Sequence, residues 1–172
     1  RLFGDQCGCH GNTSGLDRLD RGIAMSTNLG SSPLAKRSIV TITFTGASGL
    51  GLAGSTTTFF TTTGEILCSL VAYVASTLTE NLGTPTLTLG VVNSTSLFIG
   101  ATTATTLATG EYWTENTGAG TANAGIAVPA AMKDIIITSN VVGVVGGTNN
   151  INGGTLRLTL LWVPLSTDAA VT

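Results

Sequence analysis

The sequence predicts an all-β protein: a β-sandwich or jelly-roll-like antiparallel domain over residues 38–172, preceded by an extended N-terminal arm over residues 1–37. Three observations carry this expectation. Apolar and polar residues alternate with period two in several segments, the signature of strands with one buried face. Clusters of Gly and Asn interrupt those segments at short intervals, as tight reversals require. Polarity without charge is the third: 31 Thr and 23 Gly stand beside only 9% charged residues, where about a quarter is usual. Threonine is β-branched and stiff at χ1, so it suits the solvent face of a strand. At 172 residues the chain can bury roughly two thirds of its extended surface, enough for one independent core.

Taken in order, the arm "GDQCGCHGNTSGLDRLDRGIAMSTNLGSSPLAKR" has no sustained period and is rich in Gly, Ser and Asn. "SIVTITFT" follows, with Val40, Ile42 and Phe44 set against Thr41, Thr43 and Thr45. "GASGLGLAG" resembles a phosphate loop but has neither its Lys nor a following helix, so its glycines are expected to make a flexible turn. "EILCSLVAYVAS" is more continuously apolar and predicts a central strand covered on both sides. "PTLTLGV" sets Leu87 and Leu89 against Thr86 and Thr88. "VPAAMKD" has room for one helical turn or two, and "NGG" at residues 152–154 predicts a hairpin between "NVVGVV" and "TLRLTL". In that last segment Leu156, Leu158 and Leu160 alternate with Thr155, Arg157 and Thr159, and "WVPLSTD" follows. "TTTFFTTT" and "ATTATTLATG" share composition but no period of ~20–50 residues, which argues against a solenoid.

Charge is divided between the two parts. The arm carries Arg1, Arg18, Arg21, Lys36 and Arg37 against Asp5, Asp17 and Asp20, a net +2. The remainder carries Lys133 and Arg157 against Glu65, Glu80, Glu111, Glu115, Asp134 and Asp168, a net −4. Such an arm suits an acidic protein surface and is too sparse in cations for nucleic acid. No apolar run reaches the ~18 residues of a membrane-spanning helix.

Residues able to carry chemistry are few. Cys7, Cys9 and His10 lie together in "CGCH", one ligand short of a closed zinc site and with a tighter spacing than is usual. A disulfide between Cys7 and Cys9 would be strained, so oxidation there would draw its partner from another chain. Cys68, in an apolar segment, reads as a small buried hydrophobe. His10 is the sole histidine and sits in the arm, which removes most Ser-His and Cys-His arrangements. Glu111, Tyr112, Trp113 and Glu115 in "EYWTEN" suit a carbohydrate site, as an adhesin-like module or a glycosidase fragment; the simpler reading packs Trp113 at a sheet edge with both Glu beside a loop. "NTS" at Asn12 and "NST" at Asn93 match the glycosylation sequon, which matters only in a eukaryotic secretory pathway. No cofactor is implied. The chain opens at Arg1, so either a segment has been removed or the sequence is a fragment, with Met25 a candidate start.

The segments "TTGEILCSLVAYV", "TLTLGVVNSTSLFIGATTATTLATGEYW" and "DIIITSNVVGVVGGTNNINGGTLRLTLLWVPLSTDAAV" resemble a group of β-rich virion proteins encoded near the head genes of tailed bacteriophages. The shared pattern is a "TG-x-[IV]-L" strand, a "T-[LI]-x-[LV]-G" strand, a "G-x-[YF]-W" corner and a terminal "GGxLxxxxxWxPLSxD". It covers most of residues 38–172 and none of the arm. The resemblance implies a non-enzymatic virion component, a capsid decoration (cement) or head-completion protein on the capsid exterior. Its expected partners are other copies of itself, in a homo-oligomer such as a trimer, and the major capsid protein or other virion proteins. In that setting Trp162 anchors the core and Pro164 ends strand pairing. The expected assembly contacts are Arg18, Arg21, Lys36 and Arg37, with Leu16, Leu19, Ile23 and Leu34 supplying apolar burial.

Overall fold

A computed structural model describes residues 34–80, 82–116, 118–120 and 126–172. The fold is the predicted all-β sandwich. One sheet has six strands: β1 (Lys36–Thr43), β11 (Ile151–Pro164), β4 (Ile66–Glu80), β7 (Tyr112–Glu115) and β8 (Gly118–Gly120) in that order, with β9 (Ile135–Ile137) also paired to β4. The other has four, in the order β2 (Thr56–Phe60), β10 (Val141–Gly146), β5 (Thr86–Val91) and β6 (Ser94–Thr103). A short ladder of β3 (Thr62–Thr63) and β12 (Ala170–Val171) completes the fold, and every named pairing is antiparallel. The helical elements described are single 3₁₀ turns, at Ala104–Thr106 and within "VPAAMKD" at Ala130–Met132.

Alternation places the core. Leu156, Leu158 and Leu160 of β11 are fully buried, as are Leu87 and Leu89 of β5. At about 1.5–3 kcal/mol for each fully buried aliphatic side chain, these two strands contribute much of the hydrophobic driving force. Val40 and Ile42 point the same way but are only half-buried, because β1 is the edge strand of its sheet. Cys68 is buried, which pushes its thiol up to about 12 by desolvation. Trp162 is buried with its indole N–H donating to Ser38 Oγ at 3.1 Å, and Lys36 Nζ sits 4.7 Å from its ring centroid. Pro164 is the last residue of β11, and the chain then turns away to form β12.

Three local expectations are corrected. β10 and β11 lie in different sheets, so residues 152–154 form no hairpin turn; they lie inside β11, at its irregular pairing with β4. β4 is central, but among the described residues it is not covered on both sides: Ile66, Cys68, Leu70, Ala72 and Val74 are buried, while Leu67, Ser69, Val71 and Tyr73 remain half-exposed. "GASGLGLAG" is a compact hydrogen-bonded loop rather than a flexible turn. Thr45 N and Gly46 N both donate to Leu50 O, Leu50 N and Leu52 N donate back to Ala47 O, and Ala53 N is held by Asn150 Oδ1.

Threonine does not always face water. Thr57 of β2 is 2% exposed, and its Oγ1 is buried without a hydrogen-bond partner. A buried hydroxyl left unpaired costs about 1–3 kcal/mol, while a methyl of the same shape costs nothing there. Thr57→Val is therefore expected to raise the unfolding free energy by about 1 kcal/mol. Urea denaturation of the two proteins side by side checks this.

Candidate interaction surface

Strand register assembles the outward face of the six-stranded sheet from distant parts of the chain. Val163 lies opposite Leu67, which lies opposite Ile136. Arg37 lies opposite Leu161, and Leu161 opposite Ser69. The next row is Ile39, Thr159 and Val71, and the next Thr41, Arg157, Tyr73 and Tyr112. Because successive side chains in a strand alternate between faces, these residues all point away from the core. Ile39 is 52% exposed and Ile136 62%; Leu67, Val71, Leu161 and Val163 are half-buried.

The four rows hold the cations Arg37 and Arg157, and Asp134 stands beside the second row with its N–H donating to Ser69 Oγ at 3.2 Å. The Arg157 guanidinium carbon lies 4.7 Å from the Tyr73 ring centroid, and Tyr73 packs on Tyr112 with centroids 5.3 Å apart at 58°. Such a cation–π contact contributes about 0.5–1 kcal/mol at an exposed site and holds the charge over the rings. Beside Val71 and Tyr112 a small hollow opens, lined also by Leu70, Ala72, Thr114, Ile126, Val128 and Met132. It lies where β4 passes from its pairing with β9 at residues 66–68 to its pairing with β7 at residues 72–73. This surface is suited to burial against another protein surface: Ile39, Leu67, Val71, Ile136, Leu161 and Val163 make it largely apolar, and Arg37, Arg157 and Asp134 are its charges.

The opposite face of the molecule differs in kind. The strands β2, β10, β5 and β6 contain no charged residue. Their outward rows are mainly threonine, as in Thr56, Val144, Thr88 and in Gly146, Thr86, Thr103. The hydrated threonine surface expected for the body is found on this sheet.

The candidate residues named from sequence are distributed as follows. Cys7, Cys9, His10, Leu16, Arg18, Leu19, Arg21 and Ile23 lie outside the described residues. Leu34 is exposed, and Lys36 and Arg37 are the first residues of β1, so the strand begins two positions before the boundary set at residue 38. The "EYWTEN" corner has no open aromatic platform at Trp113, which is fully buried with its indole N–H donating to Thr102 Oγ1 at 2.9 Å. Glu111 accepts a hydrogen bond from Ala108 N at 3.2 Å, closing a turn, and Glu115 is exposed at the end of β7. Among the described residues no group of three or more His, Cys, Asp or Glu lies together, and no helix is long and apolar enough to cross a membrane.

Sequence reasoning missed the outward apolar face. The available signal was "DIIIT": in a strand that includes three consecutive isoleucines, at least one must point away from the core, and Ile136 does.

No family model and no curated protein sequence matches this chain. Among solved structures, a chain of the cyanophage Pam1 capsid asymmetric unit is similar at a TM-score of 0.42 and 16% identity, over 76% of this chain and 84% of that one.

Proposed function

We propose that this chain is a non-enzymatic structural protein of a tailed-bacteriophage virion, a capsid decoration or head-completion component on the capsid exterior. The observation that carries the proposal is the largely apolar outward face of the six-stranded sheet, whose edge strand β1 follows directly on residues 1–35. The quoted sequence segments, which resemble β-rich virion proteins, supply the setting. On assembly the arm reaches a neighbouring copy or the shell, and its charges steer docking. Exposed ion pairs contribute only about 0–1 kcal/mol each, so apolar burial and backbone pairing supply most of the hold. The carbohydrate-binding reading gains nothing from the "EYWTEN" corner, since Trp113 has no surface to offer a sugar.

The test is co-sedimentation with phage particles lacking the protein. Full-length chain is expected to pellet with the particles, and chain without residues 1–33 to bind at least about tenfold more weakly, a loss of ~1.4 kcal/mol. Equal binding by both would make the arm a passive tail. Failure of the full chain to bind would remove the virion assignment.

A further inference from the structure

We infer that the free edge of β1 pairs antiparallel with β1 of a second copy, joining two six-stranded sheets into one across a two-fold axis. The pairing belongs to the free protein and stands or falls apart from the virion assignment.

The hydrogen-bonding phase of β1 is set at its end. Phe44 N–H donates to Gly154 O, across the ladder to β11, whereas Thr45 N–H donates to Leu50 O on the other side. Backbone groups of successive strand residues point to alternate sides, and the β1–β11 register runs from Lys36 to Thr43 without a shift. Ser38, Val40 and Ile42 therefore bond to β11, while Arg37, Ile39, Thr41 and Thr43 direct their N–H and C=O groups to the free edge. Among the described residues no strand takes up these groups.

Such an edge is a template for another strand unless it is short, bulged, broken by proline or covered. β1 has eight residues, no proline and no bulge, and its Lys36 Nζ lies over Trp162 of its own sheet. The remaining sheet edges among the described residues are guarded. β2, β3, β8, β9 and β12 have five residues or fewer. β6 is flanked by residues 115–116: Thr102 Oγ1 lies 3.3 Å from Glu115 O, and a Cβ on Gly100 would lie 3.7 Å from the Asn116 side chain. The inner side of β1 is unfinished as well, since Val40 and Ile42 pack on the core yet are only half-buried.

A second copy fits this edge in one register that uses all of it. Pairing stops at Thr43, because Leu50 O already holds Thr45 N–H, so the two-fold falls on Val40. Arg37 then lies opposite Thr43 of the second copy, and Ile39 opposite Thr41 of the second copy. Each such pair exchanges two N–H···O bonds, and with their symmetry mates these pairs use every free group of both edges. Val40 meets its own equivalent on the axis and Ile42 meets Ser38 of the second copy, which covers the half-buried side chains; cross-strand pairs of β-branched residues stabilise a ladder. The cations stay apart, because Arg37 and its equivalent are displaced by about 20 Å along the strands at ~3.4 Å per residue.

Disulfide trapping and sedimentation of the full-length chain test this. In a Cys7→Ser/Cys9→Ser background the buried Cys68 is the only thiol left. Val40→Cys should give a disulfide-linked dimer under mild oxidation, since opposed residues of this kind have Cα atoms about 4.5 Å apart, within disulfide range. Thr43→Cys, about 20 Å from its equivalent, should give it at least about tenfold more slowly. Thr41→Pro removes an N–H that β11 does not use, so the body should melt as the parent does while the dimer dissociation constant rises at least about tenfold. Should Thr41→Pro lower the melt, the two cysteine variants decide alone. A parent that stays monomeric up to about 100 μM overturns the inference. So does a dimer unmoved by a folded Thr41→Pro, and so does Thr43→Cys trapping as fast as Val40→Cys.

Discussion

Trp113→Ala is expected to lower the unfolding free energy by about 3–5 kcal/mol, the range for removing a fully buried large aromatic side chain. Trp113 has 0% of its surface exposed and sits on β7 opposite Ala72 of the six-stranded sheet, yet its N–H bonds to Thr102 on β6 of the four-stranded sheet. The substitution therefore opens a cavity and removes a polar tie between the two layers at once. Thr102 is itself buried, with Gly100 O and Glu115 O within reach of its hydroxyl at 3.2 and 3.3 Å. Its hydroxyl proton keeps an acceptor in the variant, so the lost hydrogen bond should add only about 1 kcal/mol. Trp113→Phe should cost less than Trp113→Ala, because it restores most of the volume and none of the hydrogen bond. Urea midpoints at unchanged slope measure both, and a loss under about 1 kcal/mol for the alanine variant would contradict the assigned packing.

Gly154→Ala is expected to cost about 2–4 kcal/mol, through strain at an unfavourable backbone conformation and collision with β4. Gly154 has φ of +101°, and a Cβ there would lie 2.5 Å from Thr77 O and 2.6 Å from Leu78 Cα. Backbone atoms cannot yield as a flexible side chain does. The position matters because register shifts between β11 and β4 occur on both sides of it, at residues 151–156. Ile151 and Leu156 are both fully buried although they are five apart, which strict alternation forbids. The irregularity around Gly154 makes the change of phase, so that Ile151 and the Leu156, Leu158, Leu160 series all enter one core. A thermal melt of Gly154→Ala unchanged from the parent would mean that the strand takes this phase without the glycine's freedom.

These two positions mark where sequence reading succeeds and where it stops. Alternation in "SIVTITFT", "PTLTLGV" and "TLRLTL" identified the inward side chains, because each lies in one regular strand whose period is a local property. The phase change at Gly154 was hidden, since "NGG" has the composition of a hairpin turn and of a bulge alike. Partner choice was hidden too: β10 and β11 are neighbours in sequence but belong to opposite sheets. The outward apolar face required both kinds of information. Ile39, Val71, Ile136 and Leu161 come from four strands, and only the cross-strand register shows that they share a surface. Continuous apolarity in "EILCSLVAYVAS" was real, but among the described residues its second face looks outward rather than into another layer.

A cryo-EM reconstruction of the native phage particle tests the central claim most directly. The chain should be found on the capsid exterior, with Ile39, Ile136 and Arg157 of the six-stranded sheet's outward face buried against a neighbouring copy's arm or a shell protein, and with the threonine-rich face of the other sheet toward solvent. Particles without the chain, or a chain whose six-stranded sheet faces open solvent in the assembled virion, would contradict it.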